Sequence, residues 1–477
     1  MQYHHIAHAA VPSSGGRTLP VIDPSDGQPY DEIQRGTAED IDAAVRAARQ
    51  CYDGPWRAVA PAERGRLLMR LSQVVAEHAE ELADIERRDC GKPTRQARAD
   101  ALALARYFEF YAGACDKLHG DTIPYTDGYS VLTWREPHGV TGHIVPWNYP
   151  MQIFGRCVGG ALAAGNVCVV KPSEDACLSL LRVAQLAAEA GFPAGAINIV
   201  TGYGHEVGDA LARHPGIDHI SFTGSPRIGT LIQQAAAERH CPVTLELGGK
   251  SPQILFADAD LDAALPAVVN AIVQNAGQTC SAGSRVLIDA IVYERVLERL
   301  ASMFEALRVG PAAMDLDLGP LIRQSQQQRV WDFLSDAQVA GIPVMAQGTV
   351  VDGAPQGGFY QAPTLLRDVP PGHRLAQEEI FGPVLCAMPF EDEDHAAQLA
   401  NGTRFGLVAG VWTRDGGRQF RMARRLASGQ VFINNYGAAG GVELPFGGVK
   451  SSGHGREKGL EALHGFTTLK TVAIRHG

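Results

Sequence analysis

Between Gly142 and Leu247 the chain reads His143-Ile-Val145, Val167-Cys-Val-Val170, Ile197-Asn-Ile-Val200, His219-Ile-Ser-Phe222 and Val243-Thr-Leu245, short β-branched runs separated by Ala- and Leu-rich stretches. Runs of this length suit buried strands, and the stretches between them suit helices. Strand and helix in alternation predict a parallel sheet with helices over its faces, an α/β fold. A similar alternation resumes after Ser251 and continues to about Gly440. The tail from Phe466 to Ile474 alternates like one last strand.

The first third of the chain reads mainly as helix. Thr37-Ala-Glu-Asp40 is a capping-box-like start, followed by Ile41, Val45 and Ala48 at helical spacing. Pro61 opens a longer run through Leu67, Leu68, Leu71, Val74 and Val75, which stops before Gly91-Lys92-Pro93. A further helix is expected from about Arg95 to Leu118. From Asp121 to Val140, Tyr, Val, Leu and Trp alternate around Thr126-Asp127-Gly128, as in a hairpin.

Composition narrows the function. The chain has 477 residues, 45% hydrophobic and 20% charged, enough for two or three domains with ordinary cores. A net charge of −10 without a Lys/Arg cluster argues against a phosphate-backbone partner. The 9 cysteines are scattered and form no CxxC pair, which argues against a zinc knuckle or a redox dithiol and suits reduced thiols. No metal site is expected. Met1 to Gly16 has neither a basic nor an apolar signal region, and the apolar stretch from Cys157 to Val170 is too short for a membrane span, so a cytoplasmic protein is expected.

Common signatures are missing. Gly249-Lys250-Ser251 ends like a P-loop, but the glycine required at 244 is Thr244. Gly202-Tyr-Gly204 is followed by Gly208, one residue late for a dinucleotide fingerprint. There is no G-x-S-x-G elbow and no H-E-x-x-H.

Several other segments occur together. They are Pro146-Trp-Asn-Tyr-Pro150, Lys171-Pro-Ser-Glu174, Phe222-Thr-Gly-Ser225, Leu245-Glu-Leu-Gly-Gly-Lys250, Gly277-Gln-Thr-Cys280, Glu378-Glu-Ile-Phe-Gly-Pro383 and Pro445-Phe-Gly-Gly448. In this order and spacing the chain resembles the aldehyde dehydrogenase superfamily, of the hydrolytic type, from about residue 18 to 474. Oxidising an aldehyde requires hydride to leave a carbon that already bears oxygen. A thiolate that first adds to that carbon makes it electron-rich, and the resulting thioester hydrolyses readily.

The resemblance implies Cys280 as that nucleophile, Asn148 with the Cys280 backbone N–H as donors to the oxyanion, and Glu246 as the base for water. It also implies Glu457 as a second glutamate, either a proton relay or half of an ion pair. The family binds NAD on a variant Rossmann fold without the glycine fingerprint. Lys171 and Glu174 match its adenosine-ribose contacts, and a carboxylate at 174 favours NAD over NADP. Gly224 and Ser225, leading into the helix with Gly229, match the pyrophosphate turn. Glu379 and Phe381 match the nicotinamide-side contacts. Ile144, Gly204 and Leu247 complete the set, and Trp147 is either a contact or packing.

The substrate pocket is expected to include Arg156, Tyr149 and Ile153, with Phe154 as a second aromatic wall. In the succinate-semialdehyde branch an arginine matching Arg156 holds the substrate carboxylate, which would suit a semialdehyde or an aromatic aldehyde. That branch carries a second arginine where this chain has Gln274; the alternative is a surface arginine with a salt-bridge partner. The implied subunit has a cofactor domain at about 1–115 and 138–248 and a catalytic domain at about 249–460. An oligomerisation arm at 116–137 and 461–477 would make a homodimer or homotetramer. Two other readings use the same residues: a CoA-acylating dehydrogenase, which lacks the glutamate at 246, and a catalytically silent structural relative.

Overall fold

A computed structural model describes residues 1–477. Its central feature is an 8-stranded sheet in the order Ala9–Val11, His4–Ile6, Ile197–Ile199, Val167–Pro172, Val140–Val145, His219–Thr223, Val243–Glu246 and Gly453–His454. The inner members, from Ile197–Ile199 to Val243–Glu246, pair in parallel. These are the runs quoted from the sequence. Chain order changes direction between Val140–Val145 and His219–Thr223, which leaves a crevice at the carboxyl ends of those strands. The flanking additions are antiparallel: His5 pairs with Ile199, and His454 with Leu245. Gly453–His454 therefore joins the first sheet, although the sequence reading placed it in the second unit.

A second, 7-stranded sheet runs Val344–Gln347, Thr364–Leu366, Val384–Phe390, Arg285–Asp289, Pro252–Leu255, Val408–Trp412 and Gln430–Ile433. It is parallel except at Val344–Gln347. Each large sheet has its own apolar core. A third sheet of 3 strands pairs Thr467–Arg475 with Tyr129–Pro137, and the latter with Thr122–Ile123, all antiparallel. The expected hairpin and the expected last strand are thus one sheet.

The helical expectations hold with adjustments. Ala38–Cys51 starts on a capping box in which the Thr37 N–H donates to Asp40 at 2.9 Å and the Asp40 N–H donates to Thr37 Oγ1 at 3.4 Å. The run from Pro61 is two helices, Pro61–Glu77 and Ala79–Cys90, broken at His78. The apolar pattern passes through the break, so periodicity alone could not reveal it. The next helix, Thr94–Ala112, stops short of Leu118. The strands before Thr37 went unread, including the antiparallel pair Thr18–Asp23 and Gln28–Gln34. The last two are buried by Leu19, Val21 and Ile33 packing on distant Cys177, and His4–Ile6 by Ile6 joining the core of the large sheet.

One helix places much of the site. Pro150–Ala164 has proline at its first position and is buried on almost every face. Gly155 and Gly159 let helix Thr94–Ala112 cross closely: a Cβ at Gly155 would lie 2.9 Å from Tyr107, and one at Gly159 3.0 Å from Tyr111.

Candidate active site

Cys280 sits in a loop that follows helix Leu261–Val273. The loop begins with three left-handed residues, Asn275, Ala276 and Gly277, at φ of 49°, 52° and 75°. Non-glycine residues persist there only when their surroundings hold them, and here hydrogen bonds do so. The Asn275 N–H donates to Gln96 Oε1 and its Nδ2 donates to the Asn148 carbonyl, both at 2.9 Å. Asn148 Nδ2 donates to the Gln278 carbonyl at 2.9 Å, and Gln278 Oε1 accepts the Ile322 N–H at 2.9 Å. The loop is closed further where a Cβ on Gly277 would fall 2.3 Å from the Gly382 carbonyl.

Asn148 and Cys280 share the wall of a cavity of about 700 Å³. The amide of Asn148 carries two N–H donors and spends one on Gln278, leaving one for a ligand. Eight other cysteines are buried; Cys280 alone is partly open. Its thiol is pushed up to about 12, chiefly by burial. Arg156 opposes that shift, whereas Glu379 and Glu246 add to it. The resting thiol is therefore protonated at neutral pH.

Glu246 ends strand Val243–Glu246 at 1% exposure, and neither carboxylate oxygen has a hydrogen-bond partner. Burial, reinforced by Glu457, holds its carboxyl well above the usual range despite Arg156 and Arg456. It is not among the residues of the cavity wall and lies close to Gly447, where a Cβ would sit 2.7 Å from Oε1.

Arg156 is neither a surface arginine nor a free cation. It is buried and in contact with Glu457, and its Nη2 donates to Thr223 Oγ1 at 3.1 Å. The guanidinium carbon stands 5.0 Å from the centre of the Phe446 ring. Glu457, fully buried, accepts a hydrogen bond from Ser221 Oγ at 2.6 Å. Arg156 still reaches the cavity wall, as do Tyr149, Gln152 and Ile153, which share one helix face with it. Phe154 does not. It points away from that face into the core, edge-on to Phe108, which corrects its expected place as a pocket wall.

The expected cofactor residues gather at the carboxyl ends of the first sheet. Lys171 is the penultimate residue of strand Val167–Pro172 and pairs with Glu174 at 2.9 Å, and a Cβ on Gly204 would face its Nζ at 3.9 Å. Ser225 caps helix Pro226–Ala237, accepting the Ile228 N–H at 3.5 Å. Gly224 precedes it against the Phe222 ring, and Gly229 packs its helix on Leu247, each where a Cβ would come within 2.6 Å. Ile144 lies half-buried in strand Val140–Val145. Glu379 reaches across to Gly249, whose N–H it accepts at 2.9 Å, and burial raises its carboxyl to about 7. Trp147 meets Phe381 edge to face at 5.3 Å. None of these residues lines the cavity of Cys280.

Some participants escaped the sequence reading. Gln278 sits inside a quoted segment, yet its bracing role depends on Asn148 and Ile322. Tyr149 stands against Lys92, whose Nζ is 4.1 Å from the ring centre, while its hydroxyl meets Thr279 Oγ1 at 2.9 Å. Lys92 is itself buried between Glu86, at 2.7 Å, and Asp100. Lys458 follows Glu457 directly and lines the cavity beside Tyr107. Only the fold brings such distant positions together. No group of three or more His, Cys, Asp or Glu is placed to hold a metal ion, and no helix is long and apolar enough to cross a membrane.

Comparison with known proteins adds to this geometry. Residues 10–472 match the aldehyde dehydrogenase family. A crystal structure from Burkholderia cenocepacia that carries the provisional name aldehyde dehydrogenase is 74% identical, with TM-score 0.99 and 100% of both chains covered. The NAD⁺ complex of an aldehyde dehydrogenase from Bacillus cereus is 39% identical at TM-score 0.96, covering 100% of this chain and 97% of that one. A hydroxyisobutyraldehyde dehydrogenase from Mycolicibacterium austroafricanum is 43% identical over 466 residues, covering 97% of this chain and 92% of the relative.

Proposed function

The chain belongs to the aldehyde dehydrogenase family, and from that premise we propose that it oxidises an aldehyde to the free carboxylic acid with NAD, through a thioester on Cys280. The observation that carries this reading is the shared cavity of Cys280 and Asn148, with the unpartnered carboxylate of Glu246 near enough to raise the Cys280 thiol.

The Cys280 thiol passes its proton through water to the ionised Glu246 carboxylate, which releases it to solvent, and the sulfur adds to the carbonyl carbon, whose oxygen becomes the oxyanion. The spare Asn148 N–H and the Cys280 backbone N–H are the donors proposed for the oxyanion. NAD, when bound, supplies the hydride acceptor that turns the adduct into a thioester. Glu246 then takes a proton from water, whose oxygen attacks the acyl carbon, and the sulfur leaves as thiolate. A carboxyl held well above its usual range suits this role, because a stronger base takes the proton more readily. Its presence favours water over CoA as the acyl acceptor.

The residues at the first sheet's carboxyl ends fit the cofactor. Lys171 and Glu174 offer a donor and an acceptor to ribose hydroxyls, and the carboxylate disfavours a 2′-phosphate. Ser225 and the first turn of a 12-residue helix suit the pyrophosphate. Glu379, folded against Gly248 and Gly249, is proposed for the nicotinamide-side ribose.

The test is to mix enzyme, NAD and a panel of aliphatic, aromatic and carboxylate-bearing aldehydes without CoA. A burst of NADH that disappears in Cys280→Ala supports the reading. NADH only when CoA is added would assign the acylating reaction, and no NADH from any aldehyde would favour a silent relative.

A further inference from the structure

The charged residues on the cavity wall are, with one exception, matched. Arg95 faces Asp315 and Asp317 at 4.0 Å, Asp100 is bound by Lys92, and Arg156 is held by Glu457. Lys458 has no carboxylate within ion-pair distance. Its Nζ donates only to the Gly440 carbonyl, at 3.2 Å, and stands 6.0 Å from the ring centres of both Tyr107 and Phe446. The nearby carboxylate of Glu443 is turned instead to Arg106. A left-handed backbone at Lys458, φ 64°, together with the Gly459 N–H donated to the Val442 carbonyl at 2.8 Å, fixes where its side chain departs.

We propose that Lys458 binds a carboxylate at the far end of the aldehyde substrate, so that the preferred substrates are aldehydes bearing a distal carboxylate. The proposal rests on the aldehyde-oxidising reading above. Arg156 is the weaker candidate: Glu457 already neutralises it, and Glu246 adds a second negative charge nearby once it ionises. Lys458 has no ion-pair partner: burial, with the Arg156 charge nearby, lowers its ammonium to about 8, and Glu443, held by Arg106, offsets this only in part. A carboxylate arriving beside it would relieve that cost. One unmatched cation suits a monoanion, whereas a phosphate would leave charge in excess. The rings of Tyr107 and Phe446 provide apolar walls for the carbon chain between the aldehyde and the carboxylate.

The decisive measurement compares matched pairs: 4-formylbenzoate with its methyl ester, and ω-oxo acids of four to six carbons with theirs. The expected acid-to-ester ratio of kcat/KM in the unmodified enzyme is on the order of 10- to 100-fold in at least one pair. Lys458→Met should bring that ratio to about one through a rise in the KM of the acid, and Lys458→Arg should restore most of it. Binding of 4-methylbenzoate to the Cys280→Ala protein, by calorimetry, should weaken by a similar factor when Lys458→Gln is added. A ratio near one in every pair, or a preference that survives Lys458→Met, overturns the proposal and leaves aldehyde oxidation standing. No NADH from acid or ester overturns both.

Discussion

Neither oxygen of Glu246 meets a donor, and that isolation decides how the residue responds to pH. Its carboxyl titrates higher in the folded protein than in the unfolded chain. The sign follows from linkage: the unfolded chain ionises first, so the contribution to stability is full below an ordinary carboxyl pKa of about 4.3. It is lost as pH rises through the raised folded value. Glu246→Gln cannot ionise, so its thermal midpoint should gain on the unmodified protein as pH is raised from 5 to 9. Parallel melting curves at every pH would contradict this account. The same substitution should lower kcat by about 10²- to 10⁴-fold and leave an acyl group on Cys280, visible as added mass on the intact protein. Because the ionised form is the base, kcat in the unmodified enzyme should rise with pH through the same range. The nucleophile and base were legible as a motif. Their raised pKa values were not, because burial and the carboxylates that reinforce it, Glu457 for Glu246 and Glu379 for Cys280, come from far along the chain.

Within the loop before Cys280, three consecutive left-handed residues are stapled through Asn275 to Gln96 and Asn148, and the next residue, Gln278, is tied to Ile322. Gly277→Ala would add a methyl 2.3 Å from the Gly382 carbonyl at φ 75°. We expect a loss of about 2–4 kcal/mol in urea unfolding, with activity falling alongside. Lys92 does comparable work between helices: it links Glu86 of Ala79–Cys90 to Asp100 of Thr94–Ala112, under the ring of Tyr149. Lys92→Met would strand two buried carboxylates and should cost about 3–5 kcal/mol by the same measurement. At this scale the sequence was readable where one chemistry repeats locally. The parallel strands announced themselves by β-branched runs, and Thr37 announced a helix by its cap. The strands before Thr37 did not, since their partners lie elsewhere; nor did the break at His78, where a kink leaves the apolar stripe unchanged.

Across the whole molecule, the 3-stranded sheet of Thr122–Ile123, Tyr129–Pro137 and Thr467–Arg475 stands apart from both large sheets. Trp134, Leu469 and Ile474 lie about half exposed on it, and Thr467–Arg475 has a free edge. So small a sheet with open apolar residues is a poor structure in water on its own. We predict that a second copy covers it: light scattering at micromolar concentration should give a dimer or tetramer, and Trp134→Lys with Leu469→Lys should shift it toward monomer. A monomeric unmodified protein would rule this out. The strands of this sheet were legible as alternation at 121–140 and 466–474; their joining came only from the family resemblance, since alternation says nothing of which distant strand Thr467 pairs with. The same long reach marks Arg156 and Glu457, which lock a helix, a strand and the tail together through Thr223 and Ser221. For anyone reshaping the pocket, positions 156 and 457 are a single unit of inheritance. A library that randomises one while fixing the other would mostly return inert, poorly folded protein, and useful variety there lies in double exchanges.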